Sequence, residues 1–539
     1  MTGGLAHWTI VPVALPLAAG AAMLLLGESH RRLRAAIGLG SAIALLAVAV
    51  LLLRAIGAPQ GDAVVIYLPG NWPPPFGIAL AVDRLSAVML TLTALLAVAS
   101  LVFSLARWER AGVHFQPLFQ FQLMGLNGAF MTADLFNLFV FFEVLLAASY
   151  GLALHGSGTA RVRAGLHYIV VNLAASFMFL IGVSLIYGAA GSLNLADLAL
   201  RVPALDAHRR TLFDAGAAVL ALTFLVKAAA WPLNFWLPRL YASSTAPVAA
   251  LFSVMTKVGF YALLRAWSLL FGGAAAPWSG LDWLFAIGLV TALLGAVGLM
   301  ASQQLGRQAA YSLIVTSGTL LAAFGLGHEA IMGPALFYLV SSTLATGAFF
   351  LVVELIERNR SFGADVLAVT FEAFELADEQ DPDRPDEVVG VAMPMATAFL
   401  GLSFITCALL VAGLPPFSGF VAKFAMLSAA LDPVRGATVT TGVWLLLAVV
   451  ILSGLAGIVA LARTGIRSFW ASERAAPRLA LVEAAPVVAL LVLCAVLAVQ
   501  AGPVMRYLDD TARSLYQPQQ YIEAMSAATV SDRPMGDVQ

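Results

Sequence analysis

The sequence predicts an all-α polytopic membrane protein with about fourteen transmembrane helices. Hydrophobic residues make up 61% of the chain, charged residues only 11%, and the mean hydropathy is +0.91, which leaves little water-facing surface. Apolar runs of roughly 18 to 25 residues, the length needed to cross a bilayer, recur from end to end. The basic residues gather in alternate loops between those runs. A net charge of -1 offers no basic face for nucleic acid. Cys407 and Cys494 both lie in hydrophobic stretches, so neither a disulfide framework nor a CxxC metal site is available.

In chain order the spans fall at about 8 to 26, 35 to 55, 84 to 105, 113 to 131, 133 to 154, 165 to 189, 212 to 236, 247 to 270, 281 to 301, 308 to 325, 331 to 355, 393 to 430, 441 to 462 and 482 to 502. The first lacks the basic leader of a signal peptide and reads as a retained span. The twelfth is long and interrupted. Arg31, Arg32 and Arg34 follow the first span, Arg107 and Arg110 the third, Arg161 and Arg163 the fifth, Arg307 the ninth, Arg358 and Arg360 the eleventh, and Arg463, Arg467, Arg474 and Arg478 the thirteenth. The positive-inside rule makes these loops cytoplasmic and puts both termini on the opposite, periplasmic or extracellular side. Arg201, Arg209 and Arg210 run against that trend. After Arg506 the chain is polar and Gln-rich and reads as a tail that a neighbouring chain could pin.

Only three of the 539 residues are lysine, Lys227, Lys257 and Lys423, and all three sit inside apolar spans. An ammonium can give up its proton where burial makes charge expensive, whereas a guanidinium stays charged, so this placement points to proton transfer. Two of the lysines adjoin helix breakers. Pro232 and Pro238 follow Lys227, and Gly413-Leu-Pro-Pro-Phe-Ser-Gly-Phe420 precedes Lys423. Irregular backbone at membrane depth is tolerated only where protein buries it or water lines it, and broken helices in corresponding halves mark ion sites. Half-repeats starting near residues 113 and 281 are offset by roughly 170 residues. The larger spacing of Lys227 and Lys423 is accounted for by one acidic insertion, Ser361 to Glu387, which reads as a solvated linker.

An intramembrane charge needs a partner or water, and the carboxylate expected beside Lys227 is Glu143. A static salt bridge is the alternative, disfavoured because buried ion pairs stabilise poorly for their own sake.

The runs Phe142-Glu143-Val-Leu-Leu, Lys227-Ala-Ala-Ala-Trp-Pro-Leu-Asn-Phe-Trp-Leu-Pro, Ala246-Pro-Val-Ala-Ala-Leu-Phe-Ser-Val-Met-Thr-Lys257-Val-Gly and Gly413-Leu-Pro-Pro-Phe-Ser-Gly-Phe-Val-Ala-Lys423 resemble the antiporter-like subunits shared by respiratory complex I and the multisubunit Mrp-type cation/proton antiporters. Asn71-Trp-Pro-Pro-Pro-Phe-Gly-Ile, Asp83-Arg-Leu-Ser-Ala and a lysine at 423 look most like the D branch of the Mrp type. The resemblance implies fourteen helices with two inverted five-helix repeats, helices 4 to 8 and 9 to 13, and broken helices 7 and 12. The corresponding division is 1–110 for helices 1 to 3, 111–272 and 279–465 for the two half-repeats, and 480–539 for helix 14 and the polar tail.

Carried over by position, the resemblance makes Glu143 and Lys227 the carboxylate and lysine pair, Lys257 the bridging lysine of helix 8 and Lys423 the terminal lysine of helix 12. His167 stands where a lysine is common in helix 6, and imidazole titrates near neutrality. Ser341 stands where histidine is expected in helix 11, so the link between Lys257 and Lys423 leans on water held by Ser341, Ser342 and Thr343. Arg239 replaces a common aspartate and reads as a cytoplasmic anchor. Glu354 and Glu483 read as snorkelling to the interface. Asp134, Thr132 and Asn137 are weak candidates for a sodium site, since a hard cation prefers oxygen donors. Trp231, Trp236, Phe139, Phe141 and Phe142 read as packing.

The implied function is the proton-translocating part of a sodium or other monovalent cation/proton antiporter in a bacterial inner membrane. It needs no cofactor, and its partners are sister membrane subunits, the lipid bilayer, protons and the cation. The alternative is a proton-pumping subunit of a redox complex. The transmembrane field, about 2.3 kcal/mol per charge per 100 mV, is large enough to bias each transfer.

Overall fold

The computed structural model describes residues 6–58, 63–108, 112, 114–156, 158–271, 281–361, 394–432, 439–469 and 479–528. The acidic stretch beyond Ser361, together with Arg110, Arg474 and Arg478, lies outside them. Helices and broken helices follow the expected spans one for one: α1 (Val11–Leu25), α2 (Arg31–Gly57), α3 (Arg84–Ser104), α4 (Phe115–Met131), α5 (Leu135–Ala153), α6 (Thr159–Ala190), α7a (Ala207–Lys227) with α7b (Trp236–Ser243), α8a (Ala246–Phe252) with α8b (Met255–Leu270), α9 (Leu281–Ala301), α10 (Leu305–Gly325), α11 (Glu329–Ser361), α12a (Met395–Ala412) with α12b (Ser418–Leu431), α13 (Thr441–Phe469) and α14 (Leu481–Val499). Among the described residues, ten helical segments are long and apolar enough to cross a membrane, helix 8 being taken from Ala246 to Leu270 and α12a being one of them; α1 and α12b are shorter apolar helices.

Burial sorts these helices into a centre and a shell. The apolar window of helix 8 is buried along its whole length and that of α11 nearly so, whereas α2, α6, α9 and α14 turn most of theirs outward. On α6, Val162, Leu166, Val170, Leu173, Phe177 and Ile181 form an exposed apolar stripe. Such a stripe is stable against lipid tails and would be an aggregation site in water.

The connections segregate by parity. A hairpin of β1 (Val64–Tyr67) and β2 (Leu80–Asp83) pairs antiparallel, Leu80 bridges to Thr132, and Asp134 bridges to Asn194, so loops 2–3, 4–5 and 6–7 meet at one end. Loops 3–4, 5–6 and 7–8 meet at the other end, where Arg161 donates to the carbonyls of Ser243 and His155, each at 2.7 Å. Arginines at this second end cap helix C-termini. Arg34 bonds the Leu26 carbonyl after α1, and Arg463 bonds that of Met300 in α9 at 2.6 Å. Odd-numbered helices run toward this end, and a cation there satisfies orphan carbonyls and opposes the negative end of the helix dipole.

The C-terminal stretch is not a loose tail. α15 (Ala501–Tyr516) and α16 (Gln519–Ser526) fold back on the same chain, burying Leu508, Thr511, Ala512, Leu515, Tyr521 and Met525. Arg84 pairs with Asp510 at 3.0 Å and holds α15 to α3. Its polarity misled the sequence reading because α15 is amphipathic, with its apolar side chains spread around one face rather than in a run.

Candidate functional site

Lys227, Lys257 and Lys423 are all buried, at 5%, 0% and 7% exposure. Each adjoins an interrupted helix. Helix 8 contributes a break that its sequence did not announce: Ser253 and Val254 separate α8a from α8b just before Lys257. No proline or glycine lies at that point, so composition carried no signal.

Lys227 is the last residue of α7a. The chain then turns through Ala229, at φ +54°, and restarts at Trp236. Inside the turn the Trp231 N–H donates to Thr291 Oγ1 of α9 at 2.9 Å, which ties the break to the second half of the chain. The Lys227 ammonium lies 4.7 Å from the centroid of the Phe142 ring and has no hydrogen-bond partner among the described residues. Glu143 is the carboxylate within electrostatic reach, but no contact of 4.0 Å or less joins the two, and Glu143 Oε1 is itself buried without a partner. The sequence expected an ion pair here. The geometry is an open one in which the aromatic face holds the cation and the carboxylate stands off.

α8b lies directly against this break. A Cβ added at Gly259 would meet Ala228 N at 2.5 Å and the Lys227 carbonyl carbon at 2.8 Å, so only glycine permits the approach. Lys257, two residues earlier, and the Thr256 hydroxyl are buried without hydrogen-bond partners among the described residues.

Lys423 sits in α12b, beyond its break, and reaches back to the end of α12a. Its Nζ donates to the Ala412 carbonyl at 2.9 Å, lies 3.5 Å from that of Val411, and stands 6.0 Å from the Tyr338 ring centroid. Gly413, at φ +79°, ends α12a and passes under the lysine side chain. Lys227 and Lys423 therefore lie on opposite sides of their breaks in sequence: Lys227 is the last residue of a half-helix, and the Lys423 ammonium is bonded to the carbonyl end of one, the end that favours a cation.

The serine-lined stretch of α11 divides into separate roles. Ser341 donates to Ser418 Oγ at 2.7 Å and joins α11 to α12b. Ser342 and Thr343 bond back to the carbonyls of Tyr338 and Leu339, each at 2.6 Å. Ser342 also lines a cavity of about 10 Å³ with Thr316, Tyr338, Thr346, Val411 and Ser453, roughly the space one water needs. That cavity adjoins the Lys423 site through Val411 and Tyr338.

His167 stands apart from the lysines. It is exposed on α6, its Nδ1 is 3.0 Å from the Arg163 carbonyl, and it lines an open cleft with Trp231, Asn234, Arg239 and Arg307. Asp134, Thr132 and Asn137 do come together, as a helix cap: Asp134 Oδ1 accepts the N–H groups of Phe136 and Asn137, and Asn137 Nδ2 donates to Thr132 Oγ1. Asp134 Oδ1 and Thr132 Oγ1 are thus engaged at the start of α5, and no group of three His, Cys, Asp or Glu side chains suited to a metal occurs among the described residues.

Two carboxylates expected to snorkel are instead engaged. Glu354 accepts from Trp108 Nε1 at 2.7 Å and from the Ala246 N–H at 3.1 Å, capping α8a. Glu483 pairs with Arg358 through both oxygens, at 2.5 and 3.0 Å. A fixed donor beats solvent when the carboxylate lies at a helix start. Phe142, Tyr338 and Ser418 are site residues that sequence reasoning did not assign; the first was read as packing, which it also does against Phe179 and Phe224.

Residues 132–456 match the family described as NADH:quinone oxidoreductase/Mrp antiporter, transmembrane. The chain is 53% identical, over 98% of its length and 99% of the relative, to the D subunit of a probable K(+)/H(+) antiporter of Rhizobium meliloti strain 1021. It is 30% identical, over 96% of its length and 98% of the relative, to the D subunit of the Na(+)/H(+) antiporter of Alkalihalophilus pseudofirmus. A chain of the Mrp complex from Dietzia sp. DQ12-45-1b superimposes with a TM-score of 0.83 at 26% identity, covering 98% of this chain and all of that one. A family match over more than half the chain, a near-full-length relative and a shared fold all agree: this is a multi-pass membrane protein that belongs to the NADH:quinone oxidoreductase/Mrp antiporter family.

Proposed function

We propose that the protein is the proton-translocating subunit of a multisubunit monovalent cation/proton antiporter of a bacterial inner membrane, assembled with sister membrane subunits. The observation that carries the reading is the set of three buried lysines at three helix breaks, combined with 53% identity to a relative named as the D subunit of an antiporter. Protons pass along Glu143, Lys227, Lys257 and Lys423. The cleft holding His167 opens beside the Trp231 break and serves as the aqueous approach to Lys227. Ser341 fixes α12b, and the water-sized cavity at Ser342 bridges toward Lys423.

The arginine-capped end faces the cytoplasm by the positive-inside rule, which puts the hairpin and both termini outside. The two groups of helices, 4 to 8 and 9 to 13, act as inverted half-repeats, a reading supported by the parallel breaks in helices 7 and 12. The cation is potassium in preference to sodium, because the relative named for potassium is far more similar than the one named for sodium.

The second reading, a subunit of a redox-driven proton pump, is kept by the family description, which joins quinone oxidoreductases with antiporters. The test uses everted vesicles from an antiporter-deficient host expressing the whole complex, with potassium- and sodium-dependent proton movement recorded. Lys227→Ala and Glu143→Ala should each abolish exchange while assembly persists. Undiminished exchange in either assembled variant would sink the proposed path, and proton movement that needs an electron donor would move the protein to the second reading.

A further inference from the structure

α8b carries Lys257, Tyr261 and Arg265 at intervals of four residues, hence on one face of the helix and about 12 Å from first to last. The last two enter a polar cluster at the hairpin end. Arg265 Nη2 pairs with Asp83 Oδ2 at 2.7 Å, with both side chains more than nine-tenths buried. Asp83 Oδ1 accepts the Ser86 N–H at 2.9 Å, capping α3. The Tyr261 hydroxyl donates to the Phe130 carbonyl at 2.6 Å and stands 3.0 Å from Ser86 Oγ and 3.4 Å from Arg265.

Asp83 also lines a polar cavity of about 510 Å³ whose other walls include Arg84, Asp510, Ser514, Gln517 and Tyr521. α15 and α16 supply one side of it. Tyr521 lays its ring 5.1 Å from the Arg265 guanidinium, and Arg84 is shared between Asp510 and the face of Tyr507. An acid and its counter-ion buried on one side and facing a polar cavity on the other is the arrangement expected of a gate, since an ion pair wanted only for stability gains little from burial.

We propose that Asp83 and Arg265 form the outer proton gate of this subunit, joining the Lys257 region to a vestibule closed by the C-terminal helices. The proposal rests on the proton-translocating function and on the orientation put forward above. In the transfer an N–H bond of the Lys257 ammonium breaks, water positioned by the hydroxyls of Tyr261 and Ser86 carries the proton, and an O–H bond forms on Asp83. Arg265 is then released from its counter-ion and is held by Tyr521 and Tyr261. Water in the vestibule takes the proton from Asp83, and the ion pair closes again. The charged and titratable groups around Asp83 are Arg265 and Tyr261 of α8b, Arg84 of α3, Tyr507 of α15 and Tyr521 of α16, with Asp510 and Arg513 of α15, paired at 3.0 Å, lining the same cavity.

The experiment uses the assembled complex in vesicles of known orientation, with exchange followed as the pH on the hairpin side is varied. Wild-type exchange is the reference: if it is missing, the functional reading fails and not the gate. Asp83→Asn should lose exchange about a hundredfold, the scale of a lost proton-transfer group. Because breaking the ion pair can prevent assembly, the double variant Tyr261→Phe with Ser86→Ala supplies the second test. It keeps the packing, and its exchange should be slower with an altered dependence on hairpin-side pH. In Ser514→Cys, labelling from the hairpin side with a bulky impermeant thiol reagent should slow exchange relative to the unlabelled variant; Cys407 and Cys494 are buried and do not compete. Wild-type rates and pH profile in the double variant, or unchanged exchange after complete labelling, overturn the gate.

Discussion

Replacing Gly413 by alanine perturbs the backbone of a helix break directly beneath the Lys423 side chain. At φ +79° an L side chain costs about 1 to 2 kcal/mol. The added Cβ would also lie 2.7 Å from Lys423 Cδ and 3.0 Å from its Nζ, so the lysine side chain must shift, at the cost of up to its full bond to the Ala412 carbonyl. A hydrogen bond from a charged group is worth about 1.5 to 3 kcal/mol. The stiffer unfolded chain returns about 0.4 to 1 kcal/mol. The expected net loss runs from about 1 kcal/mol if the lysine keeps its bond to about 4 kcal/mol if it loses it, subject to incomplete additivity. Thermal melting of the purified complex should fall and exchange in everted vesicles should slow together. Gly401→Ala on the same helix is the control, because its Cβ would meet Phe469 only at 3.9 Å. Wild-type melting and wild-type exchange in Gly413→Ala would refute the assignment of Gly413 as the seat of Lys423.

Two further outcomes follow from contacts elsewhere. Phe142→Leu keeps an apolar side chain but removes the ring under the Lys227 ammonium, a desolvated contact worth about 2 kcal/mol. Exchange should slow, and a double-mutant cycle with Lys227→Ala should show coupling; additive effects would show that the ring only packs. His155, in the loop after α5, is held below its ordinary pKa of 6.5, first by burial and then by Arg161. The unfolded chain therefore binds a proton that the folded state refuses, so stability is lost as the pH falls below 6.5. His155→Gln should flatten the melting temperature across that acid range; an unchanged slope would place the effect elsewhere.

Much of the architecture is legible because a bilayer reduces helix placement to length and apolarity. The fourteen segments, the breaks after Lys227 and before Lys423, and the isolation of three lysines in apolar runs all follow from composition, proline and glycine. The engagement of Glu354 and Glu483 was not legible because Trp108 and Ala246, which meet the first, and Arg358, which meets the second, lie far away in the chain. The amphipathic α15 was misread because its apolar contacts are spaced around a helix.

By itself the sequence determined the class, the spans and the buried titratable groups, since these depend on local hydrophobicity and on the cost of charge in lipid. Only the tertiary structure decided what each charge meets. It set the Lys227 ammonium on Phe142 and out of ion-pair contact with Glu143, seated Lys423 on the carbonyl end of α12a, broke helix 8 beside Lys257, and joined Asp83 to Arg265. Those are distances between segments remote in sequence, fixed by helix packing, and no local pattern encodes them.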